Sequence, residues 1–376
     1  MRPVRLTGCR RTSDVKRPAS SSRRGTPQLA KIFASEVALY CARNRPPCRI
    51  IAIADCWPFC ARLSWSSMNA FDLHQLGQRP DLAHLDFHHE LGSTNDRAIE
   101  LVKAGHAKFP LLVLAQHQSA GRGQGNHQWH SSSGSLTFSY ALRSRDLQRR
   151  SAPTTTARTP PTDIGSVADS QTRLPLIAAM AICHTIEHFV DDALVQIKWP
   201  NDCLIDRRKV AGILVENIHS PFNQTLSHAH APAVQDPTFN RAVHVLGIGV
   251  NVNNAASELE AIVQPPSASG LPTSIAQRLG GPVSIHQFLI QLLDQLTFEI
   301  QQNEQTPSDW LARCQARLNG IDQQVEFQLP TGILKTGICR GLGPWGELIL
   351  ETDAGHERFT SGRLMRNALA SDSDSR

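Results

Sequence analysis

Between residues 84 and 253, short apolar runs with strand periodicity alternate with longer amphipathic segments. Such a chain folds as helices packed on a mixed β-sheet. Residues 84–91 carry Leu85, Phe87 and Leu91 and read as a strand. Ser93 and Thr94 can cap a helix running through Ala98, Ile99 and Val102 to Gly105, a residue type that ends helices. Residues 111–115 fit a buried strand. In the next strand Leu136, Phe138, Tyr140 and Leu142 share one face, because successive side chains alternate. A helix over about 174–190 is followed by strands at 195–199, 210–215 and 243–252, with a turn at Asp206-Arg207-Arg208.

Two polar stretches, 144–173 and 219–241, interrupt this rhythm and read as surface insertions. His219, His228 and His230 fall in the second without the spacing of a metal site, and are read as solvated. Ser284 with Gln287 fits a capping box at the head of a helix over 285–300. Pro307 opens a final helix that Gly320 closes. From 322 to 370 the pattern changes to short β-type runs at 325–328, 333–338 and 348–351, punctuated by glycines. This predicts a small separate β unit, with a polar tail at 371–376.

The net charge of +5 is unevenly placed. Residues 1–67 hold 13 Lys and Arg against 3 Asp and Glu, so this leader is at +10 and the remainder at −5. Five of the nine cysteines also lie in the leader, whose Arg, Ser and Pro content predicts a disordered or untranslated segment ahead of a domain starting at Met68. No uncharged apolar run approaches the ~18 residues that span a bilayer, so a membrane protein is not expected. Scattered cysteines in the body suit buried thiols in the cytoplasm. No pair of amphipathic helices joined by a short turn precedes His84, so nucleic acid is not an expected partner. The reading from another class is a DNA-binding regulator that uses the basic leader as an arm.

Three segments concentrate chemistry: Gly92-Ser-Thr-Asn95, the run 116–129 (QHQSAGRGQGNHQW), and Lys198-Trp-Pro-Asn-Asp202. Backbone N–H groups of a glycine-rich loop can surround an anion, and Arg122 adds a rigid cationic fork. The run lacks both the P-loop Gly-Lys-Ser/Thr and the G-x-G-x-x-G spacing of a dinucleotide site. Lys198 ends an apolar strand, where an ammonium group is costly unless it meets an anion. Ser93 and Thr94 also read as helix caps, and Trp129 also reads as core.

Together with K-V-A-G-I-L-V-E (209–216) and G-I-G-V-N-V-N (247–253), these segments resemble the biotin protein ligase family over about residues 85–255, and more loosely over 322–369. The resemblance implies an α/β catalytic domain over 68–321, followed by a small C-terminal β-barrel domain over 322–370. It implies activation of biotin with ATP to biotinoyl-5′-AMP and transfer to a lysine of a biotin carboxyl carrier protein. A homodimer is compatible with it. Lys198, Arg122 and Asp202 are then the catalytic candidates, with Asp202 as base and as a contact for ATP-bound Mg²⁺. Biotin would meet Ser93, Thr94, Asn95, Gln116, Gly121, Arg122, Gly123, Lys198 and Gly212. The nucleotide would meet Arg122, Gln124, Trp129, Lys198, Asn201, Lys209 and Asn251.

Many family members read G-R-G-R in the loop, whereas this chain has Gln124 after Gly123. One cation fewer near the phosphates predicts weaker retention of the adenylate or a slower first step. A lipoate or octanoate ligase or transferase of the same superfamily is the alternative enzyme; G-R-G combined with K-W-P-N-D favours biotin.

Overall fold

The main sheet is built from β1 (His84–Leu91), β2 (Leu111–Gln118), β3 (Ser135–Arg143), β4 (Val195–Lys198), β5 (Asp202–Ile205), β6 (Arg208–His219) and β7 (Ala242–Asn251), in the spatial order β1-β2-β3-β7-β6-β5-β4. Only β1 and β2 run parallel; the other neighbours are antiparallel. This computed structural model describes residues 70–125, 127–144, 147, 167–219, 242–262 and 271–367, all within the unit Leu63–Arg376. The basic leader, residues 220–241 of the second insertion and the tail 371–376 lie outside the described residues.

Strand alternation sorts the two faces of the sheet. Leu136, Phe138, Tyr140 and Leu142 of β3 bury on one face, as their spacing predicts, together with Leu246, Ile248 and Val250 of β7. The helices among the described residues are α1 (Leu73–Gly77), α2 (Thr94–Lys103), α3 (Val167–Phe189), α4 (Ala256–Ile262), α5 (Ile275–Leu279), α6 (Ile285–Gln305) and α7 (Pro307–Ala316), and α3 and α6 cover that face. Ser284 caps α6, its Oγ accepting from the Gln287 N–H at 3.3 Å. On the opposite face α2 (Thr94–Lys103) packs Ala98, Leu101 and Val102 against Leu111, Val113, Ala141, Val243 and Val245. The tight return from β5 to β6 is made by Asp206 and Arg207, both at positive φ (47° and 65°).

Helix α3 starts seven residues before the predicted 174, so Pro175 lies inside it. Tertiary contacts account for the difference, because Thr172 and Arg173 donate hydrogen bonds to the Trp345 and Pro344 carbonyls of the C-terminal unit. Those partners are invisible to local periodicity.

The C-terminal unit is an antiparallel sheet of β8 (Gln324–Gln328), β9 (Leu334–Leu342), β10 (Leu348–Thr352), β11 (Gly355–Phe359) and β12 (Arg363–Asn367), ordered β11-β10-β9-β8-β12. Trp199 joins it to the main sheet. The indole is 1% exposed, donates from Nε1 to the Gly346 carbonyl at 3.0 Å, and stacks near Phe327 at a ring separation of 6.0 Å. The segment between β4 and β5 is therefore held from both sheets.

Candidate active site

A cavity of about 580 Å³ opens on the α2 side of the main sheet. Its floor is β6 and β7, and its emptiness is written in glycines. Val243, Val245, Gly247 and Gly249 point to the same face; the valines pack on α2, and the glycines leave the space beyond it. A Cβ at Gly247 would lie 2.3 Å from Asn95 Oδ1, and one at Gly249 would lie 2.3 Å from Trp129 Cε2. Gly212 sits opposite Gly249 in register. The glycines of A-G-I-L and G-I-G are thus a cut-out for Asn95, Trp129 and whatever lies between them.

At one end of the cavity Thr94, Asn95 and Gln118 present neutral polar groups, with the Arg122–Glu216 ion pair beside them. Gln118 Oε1 accepts from the Thr94 N–H at 2.7 Å and lies 3.1 Å from Thr94 Oγ1. Ser139 Oγ bridges Thr94 Oγ1 (2.8 Å) and Asn95 Oδ1 (2.5 Å), and Asn95 Nδ2 donates to Glu216 at 2.8 Å. Ser93 caps α2 through the Asp96 N–H and also lines the cavity, so both readings of that residue hold.

Cations gather at the other end. Lys198 closes β4 opposite Asp202 and is 8% exposed. Burial pushes its ammonium pKa down to about 8, Asp202 opposing, with Arg363 and Lys209 adding to the fall. Lys209 reaches Asp202 at 2.6 Å because a bulge interrupts β6. Val210 and Ala211 both turn into the core, which brings Lys209 round to the cavity face with Gly212.

The glycine-rich run folds back on itself as a narrow loop. Trp129 N–H donates to the Gly121 carbonyl (2.9 Å) and Gly123 N–H to the His127 carbonyl (2.7 Å). A Cβ at Gly121 would meet the Trp129 carbonyl at 2.4 Å, so the glycine permits this close approach. Arg122 forks onto Glu216 (3.1 and 2.6 Å) and reaches Asp96 at 2.8 Å. Burial works against its charge, and these carboxylates outweigh it, holding its pKa above the usual arginine value.

The profile of the Biotin/lipoate A/B protein ligase family matches residues 90–229, and that of the biotin protein ligase C terminal domain matches residues 320–363. The chain belongs to the biotin protein ligase family. The bifunctional ligase/repressor BirA of Bacillus subtilis is 27% identical over 284 residues, covering 75% of this chain and 73% of that protein. The biotin–[acetyl-CoA-carboxylase] ligase of Paracoccus denitrificans is 29% identical over 277 residues, covering 70% and 93%. The biotin protein ligase from Aquifex aeolicus, solved in complex with biotin and ATP, shares the fold. Its TM-score is 0.52 at 18% identity, over 76% of this chain and 98% of that one.

Within this ligase fold, most residues expected at the site line the cavity: Ser93, Thr94, Asn95, Arg122, Gly123, Gln124, Trp129, Lys198, Asn201, Asp202, Lys209, Gly212 and Asn251. Two do not. Gln116 is exposed and lies 3.0 Å from His89, and the inward amide two residues on is Gln118. Both sit near the end of the same strand, and only the contact with Thr94 separates them. Gly121 lies behind the loop, where it serves the backbone approach to Trp129. The loop also differs from an open anion cradle, since Gly123 N–H is spent on His127.

Asp202 is held by Lys209 at 2.6 Å, so its carboxylate already faces a cation. Asn201 and Asn251 each donate one amide hydrogen to a backbone carbonyl, of Ile213 and Thr273 respectively. Sequence reasoning missed Glu216, Asp96, His127 and Arg363; the first stands at the end of the quoted K-V-A-G-I-L-V-E run but carried no cue to its partner.

The inward amide gives a direct test. Gln118→Ala is expected to raise the KM for biotin about tenfold or more, since it strips a buried acceptor from Thr94. Gln116→Ala is expected to stay within about twofold. Equal effects in steady-state assays of the two variants would contradict this placement.

Proposed function

We propose that this ligase activates biotin with ATP to biotinoyl-5′-AMP and passes the biotinoyl group to a lysine of a biotin carboxyl carrier domain. The observation that carries the reading is one cavity with a neutral, hydrogen-bonding end at Thr94, Asn95 and Gln118 and a cationic end at Lys198 and Lys209. An uncharged ureido ring suits the first end, where its polar atoms can be matched. A carboxylate and an α-phosphate, two anions brought together, need the second.

The carboxylate oxygen attacks the α-phosphorus, the bond to the bridging oxygen breaks, and pyrophosphate leaves. Lys198 neutralises the approaching anions, and its burial makes the attraction strong because little water screens it. Lys209, anchored by Asp202, keeps a second positive charge nearby. Trp129, flat against the glycine floor, presents its ring for the adenine. The loop 121–129 stands beside the cavity, where it can exclude water from an anhydride that hydrolyses readily.

Among the described residues no cluster of three or more His, Cys, Asp or Glu could hold a metal. Asp202, already paired with Lys209, does not fit as a metal ligand. Mg²⁺ would arrive with ATP, held by phosphates and water. No helix among the described residues is long and apolar enough to cross a membrane. The buried free thiols Cys183, Cys203, Cys314 and Cys339 suit a reducing compartment, and we assign the enzyme to the cytoplasm.

The deciding assay is ATP–pyrophosphate exchange with biotin, lipoate and octanoate offered separately. Exchange supported by biotin alone is the expected result; exchange that ignores biotin would sink the proposal. The match to a biotin ligase C-terminal domain is the observation that favours biotin over lipoate.

A pH dependence follows from Lys198. Its free-enzyme pKa of about 8 lies below the ordinary 10.5, and bound anions would raise it again. Ligand binding should therefore take up a fraction of a proton between about pH 8 and 10.5, and none near pH 6.5, where the lysine is already charged. Calorimetry in two buffers of different ionisation enthalpy reads this directly, and zero uptake at pH 8.5 would refute it.

A further inference from the structure

The C-terminal sheet reaches the cavity through β12, where Arg363 and Met365, two residues apart, line it. Arg363 Nη1 lies 2.9 Å from Nε2 of His127, on the descending arm of the glycine-rich loop. Burial, then the charges of Arg363 and Lys209, push the His127 pKa down, so the ring is neutral at pH 7 and that nitrogen can accept. The two sheets thus meet beside the site through this hydrogen bond.

The charge balance around this contact is uneven. Arg122 has two carboxylates and Lys209 has one. Among the described residues none lies within ion-pair distance of Arg363, and its fork donates only to an imidazole. Lys198, Lys209 and Arg363 line the cavity with Asp202 as the one carboxylate among the lining residues described. Cations gathered around one cavity favour the entry of a polyanion. A guanidinium fork matches phosphate oxygens two at a time. Among the described residues of the loop, Gln124, a neutral side chain, also lines the cavity.

We propose that Arg363 is a nucleotide-phosphate ligand supplied by the C-terminal sheet, and that its bond to His127 fastens the glycine-rich loop over the triphosphate, doing the work of a second arginine at position 124. The proposal rests on the adenylating function above. It makes the small β unit a working part of the site. It also makes nucleotide affinity depend on how firmly Trp199 and Arg173 hold the two sheets together.

The test compares the full-length wild type with R363Q, Q124R and the R363Q/Q124R double variant. The KM for ATP is read by pyrophosphate exchange at saturating biotin, and affinities for biotin alone and ATP alone by calorimetry. R363Q is expected to raise the ATP KM and weaken ATP binding about tenfold, the scale of one charge-assisted fork. Biotin affinity should stay within about twofold, and Q124R should restore most of the loss in the double variant. A folding defect is distinguishable, because it would weaken biotin and ATP binding together, and that result overturns the proposal. ATP affinity unchanged in R363Q, or no recovery in the double variant, overturns it as well. If the wild type binds ATP yet shows no biotin-dependent exchange, the functional reading fails, and the ATP-binding comparison alone still decides the role of Arg363.

Discussion

Lys198→Met is expected to lower biotin-dependent ATP–pyrophosphate exchange by about 10²–10³-fold, the usual effect of deleting one preorganised charge at a reacting centre. The same change should leave the fold at least as stable. Lys198 is 8% exposed with its pKa pushed down to about 8, so the folded state disfavours its charged form relative to the unfolded chain. That penalty is fully present below pH 8 and fades as pH rises towards 10.5, where the unfolded lysine also loses its proton. At pH 7, removing the charge while keeping an unbranched stem should raise stability by about 1–3 kcal/mol. Asp202 is not orphaned by the change, because Lys209 holds it at 2.6 Å. Denaturant unfolding at pH 7 and pH 10 checks the sign: the gain should shrink at the higher pH. A variant both inactive and destabilised would mean that Lys198 is a structural ion-pair partner.

Gly249→Val should impair the first half-reaction about tenfold or more by a steric route. Its Cβ would stand 2.3 Å from Trp129 Cε2, and the branched carbons beyond would enter the space between that ring and Gly212. Overpacking of this kind costs about 1–3 kcal/mol even where neighbours can move. The main chain of Trp129 is held, its backbone N–H bonded to the Gly121 carbonyl at 2.9 Å, so the ring can yield only by turning about its side-chain bonds. The expected result is at least a tenfold rise in the ATP KM, by the same energy, with biotin binding by calorimetry much less affected. The alanine variant should fall between wild type and valine. A valine variant with normal ATP affinity would show that the glycine floor is not where the nucleotide lies.

Much of the scaffold was legible because it depends on local periodicity. The alternation Leu136, Phe138, Tyr140, Leu142 predicted which face of β3 enters the core. Ser93 and Ser284 marked the starts of α2 and α6. The motif glycines pointed to the site before any geometry, since glycine repeated at i and i+2 in a strand, as at Gly247 and Gly249, leaves a face bare.

Side-chain direction at the edges of those elements was not legible. Gln116 and Gln118 are the same residue type near the end of one strand, and a contact with Thr94, 24 residues earlier in the chain, decides which amide faces the cavity. Lys209 belongs to the site only because a bulge at Val210 shifts the alternation. Asp202 carried the signature of a base or metal contact, and only the tertiary structure adds its 2.6 Å pairing with Lys209.

The amino-acid sequence by itself determined the strand and helix faces, the family, and the segments where chemistry is concentrated, because each is written in spacing along the chain. The tertiary structure alone decided which charges meet. Arg363 comes from a different sheet, 236 residues beyond His127, and an electrostatic contact at that separation depends on how two sheets pack, which no local pattern encodes.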